Sequence, residues 1–154
     1  MYLEPAYLAG VLDSDGSISI VRRKKQKTIN GFHYRAVFQL SWIKKDLTME
    51  VLSELVVKYG GNLNEIESRW KGQFQSHNSV LKYSLEGHGL DRFLSDVLPY
   101  VKLKREQVFL AIMMRTNRRE WQRMRIRTKP DWAWQKEHDI YKKFKGLNTK
   151  NGHN

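Results

Sequence analysis

The stretch that most constrains this chain is Tyr7-Leu-Ala-Gly-Val-Leu-Asp-Ser-Asp-Gly-Ser17, which reads as the end of a helix, a tight turn and the start of a strand. Ala6, Gly10 and Ser14 recur at four-residue spacing, so a helix over residues 4–14 carries one face with almost no side chain, which a second backbone can approach closely. Tyr7, Leu8, Val11 and Leu12 supply apolar flanks at i, i+4 spacing, which anchors the helix in its own subunit. Pro5 suits the first turn, where its missing N–H is no loss. Asp15-Gly16 ends the helix, and Ser17-Ile-Ser-Ile-Val21 alternates as a strand does. Two carboxylates are thereby left at a helix-to-strand junction beside a face suited to close contact.

Asp-Ser-Asp-Gly is also an ordinary solvated turn sequence. As a calcium loop it fails, because an EF-hand wants Gly at its sixth position and Glu at its twelfth, where this chain has Ile18 and Lys24. Charge narrows the choice of partner. Lys and Arg number 28 against 16 Asp and Glu, a net charge of +12, which points to a polyanion. Nucleic acid is favoured over a membrane, since many basic residues fall on apparent strands and turns rather than on one amphipathic helix. A basic domain of ribosomal type shares the same balance. The chain has no Cys, which excludes disulfides, thiolate nucleophiles and Cys-based zinc sites. His33, His77, His88, His138 and His153 are scattered without metal-ligand spacing. No Asp or Glu is followed two positions later by Lys, so the ExK core of a common nuclease site is missing. With 154 residues, no long apolar run and no signal-peptide pattern, the expectation is a single soluble domain, intracellular, and cytoplasmic or organellar.

After the motif the pattern predicts a strand with Ile18 and Ile20 on one face and Ser19, Val21 and Arg23 on the other. A long basic hairpin through Lys25 turns at Asn30-Gly31 and returns over Phe32 to Ile43. Ala36, Phe38, Leu40 and Trp42 take the core side of that return strand; Arg35, Val37, Gln39 and Ser41 take the opposite side. A helix ending at Tyr59-Gly-Gly61 buries Met49, Leu52, Leu55 and Val56. A second hairpin pairs residues 62–70, where parity leaves Arg69 and Trp70 as weak candidates, with 80–86, where Lys82 and Ser84 point away from the core. Leu90, Phe93, Leu94, Val97 and Leu98 mark a helix, and Val108, Ile112 and Met113 mark another over 104–117. The order α-β-β-α-β-β-α-α predicts an α+β fold, a four-stranded antiparallel sheet with helices on one face and the other face free. A polar face of Arg, Gln and Ser suits base reading in a DNA groove, and it equally suits a solvated sheet. From about 118 to 146 a basic, Trp-containing extension holds Arg119 and Arg123, in a stretch that fits either phosphate contact or a helix capping the core with its Trp residues buried. Residues 148–154 read as a frayed tail.

The small-residue helix face, the acid at its end and the basic chain together resemble the LAGLIDADG homing endonuclease family, whose signature stands here as Leu8-Ala-Gly-Val-Leu-Asp-Ser-Asp-Gly16. The order of elements over residues 4–117 is similar as well. The resemblance implies a site-specific endonuclease that cuts both strands of a long, pseudo-palindromic DNA target in a staggered fashion. It implies Asp15 as the metal-binding acid, the carbonyl of Ser14 as an auxiliary ligand, and Mg2+ (or Mn2+) as cofactor. Since the motif occurs once, it implies a homodimer whose motif helices cross through Ala6, Gly10, Asp13 and Ser14, with Asp13 structural rather than catalytic. The two sheets then form one saddle over double-stranded DNA, read by Ser19, Arg23, Lys25, Arg35, Gln39, Ser41, Arg69, Lys82 and Ser84, with Arg119 and Arg123 on phosphates. Val101-Lys-Leu-Lys104 resembles the stretch that carries the family's catalytic Lys, which points to Lys104, with Lys102 as fallback. At the strand end the chain departs from the family: Trp42, Ile43 and Lys44 compete for a place often held by Gln, and Lys44 is the better chemical choice. An RNA maturase, or a non-catalytic DNA-binding protein, is the alternative on the same fold.

Overall fold

The computed structural model describes residues 2–24, 32–67 and 79–150, with residues 149 and 150 as backbone only. Their elements run α1 (Pro5–Ser14), β1 (Ser17–Lys24), β2 (Phe32–Ile43), α2 (Asp46–Tyr59), β3 (Asn62–Ile66), β4 (Val80–Leu85), α3 (Gly87–Val97), α4 (Arg105–Arg123) and α5 (Asp131–Lys150). The strands form one antiparallel sheet in the order β1-β2-β4-β3, the α+β arrangement expected from the pattern. The chain gathers into two compact units, residues 1–17 with 38–103 and residues 18–37 with 104–154.

In the first unit α1 buries Leu8, Ala9, Val11 and Leu12. Tyr7, expected among the anchors, is 49% exposed. Helical geometry explains the exchange: at 3.6 residues per turn Tyr7 falls beside Gly10 and Ser14, while Ala9 falls beside Leu12. The sheet's core face carries Phe38, Leu40, Leu81, Tyr83 and Leu85, all buried. Phe93 of α3 stacks on Phe38 at 4.4 Å between centroids, and Tyr59 of α2 meets Phe93 edge-on at 5.4 Å. The buried stripe of α2 is Val51, Leu52, Leu55 and Tyr59, so Met49 and Val56 sit at its margins rather than within it. Likewise α3 buries Leu90, Phe93, Leu94 and Val97, leaving Leu98 half-buried as the C-cap. Two buried phenols find polar partners, as large amphipathic side chains must. Tyr83 donates to the carbonyl of Gly60 at 2.7 Å and Tyr59 to Asp96 Oδ2 at 2.7 Å. Burial pushes both hydroxyls above the usual tyrosine range, and Asp96 adds to the shift of Tyr59. Gly60 and Gly61, at φ 81° and 91°, make the left-handed exit from α2 that other residues avoid.

In the second unit Tyr34 links β2 to α5: its hydroxyl lies 2.8 Å from His138 Nδ1, and its ring lies 5.2 Å from that of Tyr141. Arg22, though exposed, lies over Phe32 at 4.4 Å and Tyr141 at 5.4 Å. On α4 the buried residues are Val108, Leu110, Ala111, Met114 and Asn117. Ile112 is half-buried and Met113 is 41% exposed, against expectation, because the stripe that meets α5 runs through Leu110, Met114 and Asn117. Asn117 donates to the carbonyl of Ala133 at 3.0 Å and fixes the two helices together. Continuing beyond Asn117 to Arg123, α4 shows that the change of composition near residue 118 marks no break in structure. Residues 148–150, expected to fray, are helical, and 151–154 lie outside the described residues.

Lys129, between α4 and α5, turns inward. Its ammonium bonds Glu137, sits 3.9 Å from the centroid of Trp134 and 5.8 Å from that of Trp121. The two side chains keep only 9% and 2% of their surface. Burial lowers the Lys129 ammonium and raises the Glu137 carboxyl, and their mutual contact opposes both shifts. Lys129→Ala, which strands a buried carboxylate, is expected to cost about 3–5 kcal/mol. Lys129→Met combined with Glu137→Leu should return close to the parent. Chemical denaturation of the three proteins checks the pattern.

Candidate active site and nucleic-acid interface

The motif turn is shaped by one steric fact. A β-carbon on Gly16 would stand 2.8 Å from Phe38 Cε2, closer than real β-carbons come, and a tight 3.0 Å from Leu12 Cα, so only glycine lets the turn press onto the sheet. The backbone N–H groups of Asp15 and Gly16 both donate to the carbonyl of Val11 at 2.9 Å, which closes α1 and leaves Asp15 exposed at its end. Asp13 behaves differently: its Oδ2 accepts the backbone N–H of Lys102 at 2.8 Å and ties α1 to the segment after α3. Ser14 is exposed, its hydroxyl donating to the carbonyl of Val11 at 3.3 Å. Ala6 and Gly10 share that exposed side, and a β-carbon on Gly10 would meet nothing within 4 Å. The smooth face of α1 is thus bare in the single chain.

Asp15 opens on a cleft of about 420 Å3 lined also by Ser41, Trp42, Ile43, Lys45 and Thr48. The Thr48 hydroxyl accepts the Lys45 N–H at 2.9 Å and donates to the Ile43 carbonyl at 2.8 Å, which fixes the corner between β2 and α2. Trp42, placed by alternation on the core face, reaches out of it: Nε1 donates to Asp15 Oδ2 at 2.9 Å. The signal for this contact was chemical, since an indole N–H near a core requires an acceptor. Lys44 does not line the cleft. Its ammonium pairs with Glu65 Oε2 at 2.8 Å, and that contact, with help from Ser79, holds the Glu65 carboxyl below the usual range. Lys45 lines the cleft in its place. Lys104 is the N-cap of α4, its carbonyl accepting from Val108 N at 3.0 Å, in the second unit. Lys102, in the first unit, is exposed and is joined to the motif through its backbone.

The open face of the sheet in the first unit is ordered by strand register. Gln39 pairs with Ser84 and Ser84 with Asn62; Ser41 pairs with Lys82 and Lys82 with Asn64. Directly paired residues share a face, so two polar rows cross three strands. Asn62 and Asn64 were missed because a short strand with little apolar character gives no parity from sequence. In the second unit Ser19 and Arg35 are half-buried and Arg23 is exposed. Val37, expected on the open side, is 3% exposed. Arg119 donates to Thr116 Oγ1 at 3.3 Å and Arg123 is exposed at the end of α4. Lys25, Arg69 and Trp70 lie outside the described residues.

An α+β chain with an acid-ended helix beside an open polar sheet has the LAGLIDADG homing endonuclease fold. Among solved structures it is similar to the homing endonuclease I-CvuI in complex with its target in the presence of 2 mM Ca, at 20% identity over 93% of this chain and 80% of that one, with a TM-score of 0.67. An archaeal intron-encoded homing endonuclease complexed with DNA gives 15% identity over 92% of this chain and 82% of that one, TM-score 0.66. The I-SmaMI LAGLIDADG homing endonuclease bound to cleaved DNA gives 22% identity over 90% of this chain, TM-score 0.59, and the chain spans only 43% of its length. No family model and no curated protein matches the sequence. Gly16→Ala should destabilise the protein by about 1–3 kcal/mol through overpacking against Phe38, measured as a lowered unfolding midpoint.

Proposed function

We propose that this chain is a site-specific homing endonuclease acting inside the cell as a homodimer on double-stranded DNA. The observation that carries the reading is an exposed Asp15 at the end of a helix whose Ala6, Gly10 and Ser14 side is bare, with Gly10 open to close approach. The fold it shares with DNA-bound homing endonucleases supports the same reading. Two motif helices crossing on that side bring two acids to one twofold axis, which suits staggered cuts in a pseudo-palindromic target.

Among the described residues no group of three or more acids and histidines could hold a metal. One carboxylate with a neighbouring carbonyl nevertheless fits magnesium, which is commonly held by one or two carboxylates with waters and phosphate oxygens. Asp15 and the carbonyl of Ser14 would therefore hold Mg2+ or Mn2+, with the second subunit and the DNA completing the set. A divalent ion supplies Lewis-acid stabilisation of phosphoryl charge and a more acidic water. Lys104, or Lys102 in its stead, contributes positive charge toward the transition state. Lys44 is the weaker choice because Glu65 neutralises it. Gln39, Ser41, Lys82 and Ser84, with Asn62 and Asn64, read bases; Arg119 and Arg123 hold phosphates.

Incubated with Mg2+ and a plasmid carrying the uninterrupted insertion site of its host gene, the protein should linearise the plasmid, and Asp15→Asn should slow this at least about 100-fold. An unchanged rate in that variant would remove Asp15 from the metal site; tight binding of the host intron RNA with no DNA cleavage would make the protein a maturase instead. The dimer has its own check. Gly10→Leu adds a side chain into open space, so the variant should still fold, with the helical circular dichroism of the parent, while sedimentation should show the dimer lost and cleavage with it.

A further inference from the structure

Asp15 is exposed, and an exposed carboxylate ordinarily rotates freely between solvent contacts. This one does not, because Trp42 Nε1 donates to its Oδ2 at 2.9 Å. Trp42 is itself held: it pairs with Leu81 across the sheet, stands half-buried on β2, and lines the same cleft as the acid. An indole offers one N–H, no acceptor and no titratable proton, so it can neither ligate a metal nor accept a hydrogen bond from water. What it can do at this place is hold a carboxylate oxygen through a charge-assisted hydrogen bond.

We infer that Trp42 is the positioning residue of the motif acid: its indole N–H occupies Oδ2 and presents the other oxygen, Oδ1, to the divalent ion beside the carbonyl of Ser14. This inference rests on the metal-dependent reading of Asp15. It also gives a role to one of the three strand-end residues, Trp42, Ile43 and Lys44, that compete for the family's polar place. Partners that orient a metal ligand typically contribute 10–100-fold to metal affinity, so the contact is a substantial part of a site with so few protein ligands.

The experiment is an Mn2+ titration of the purified protein followed by electron paramagnetic resonance, with no DNA and no turnover. Binding that Asp15→Asn abolishes should weaken about tenfold or more in Trp42→Phe, which keeps the ring and loses the donor. Trp42→Gln, whose amide restores a donor, should recover most of the loss. Unchanged affinity in Trp42→Phe overturns the inference and leaves the endonuclease reading standing; equal weakness in Trp42→Phe and Trp42→Gln overturns it too, since a restored donor then recovers nothing. A parent that binds no Mn2+ through Asp15 even when a duplex of the proposed target is added overturns both readings. Should Trp42→Phe fail to fold, the parent still decides. The indole N–H resonance that disappears in Trp42→Gln must shift on adding Mg2+ and in Asp15→Asn, and a resonance indifferent to both rejects the contact.

Discussion

The absence of a side chain at Gly16 is the constraint on which the candidate site depends. Because nothing stands between that turn and the ring of Phe38, the end of α1 lies on the sheet. Phe38 is in turn stacked on Phe93, so the position of the motif is fixed by the aromatic centre of the first unit. Asp15 comes out of the turn already facing the corner between β2 and α2, where Trp42, Lys45 and Thr48 stand. A site laid directly on packed core tolerates little drift, and catalysis by positioning demands that.

The two acids of the motif divide their work by what they touch. Asp13 satisfies a backbone N–H and is committed to joining α1 to the segment around Lys102. Asp15, two residues further on, is exposed and accepts a side-chain donor from the sheet. Identical chemistry at a spacing of two residues thus gives one structural and one available carboxylate, because a helix end rotates successive side chains to different sides.

The excess of positive charge is likewise divided. Lys44 is paired with Glu65, Lys129 is enclosed with Glu137 and two indoles, and Arg22 lies on aromatic rings. Each of these is a cation committed to the protein itself. Arg23, Arg123, Arg125 and Arg127 are exposed, as Arg22 and Lys44 are despite their contacts. In the proposed enzyme Arg119 and Arg123, rather than the net charge of +12 as a whole, are the residues assigned to the DNA backbone.

By itself the sequence determined the motif helix and its stop, the alternation of β1 and β4, and the order of the elements, since these rest on local rules of period, capping and turn chemistry that need no distant partner. It also exposed the smooth Ala6, Gly10 and Ser14 face and the acid at its end. Tertiary structure alone decided which residues close each stripe: Ala9 in place of Tyr7, Tyr59 in place of Val56, Met114 in place of Met113. Those choices depend on where the next helix lies, which no periodicity encodes. It alone decided that Lys44 answers to Glu65, that Asn62 and Asn64 join the polar rows, and that Trp42 donates to Asp15 across a separation of 27 residues. A hydrogen bond between residues so far apart is a property of strand register and helix placement together, and it exists only once the chain has folded.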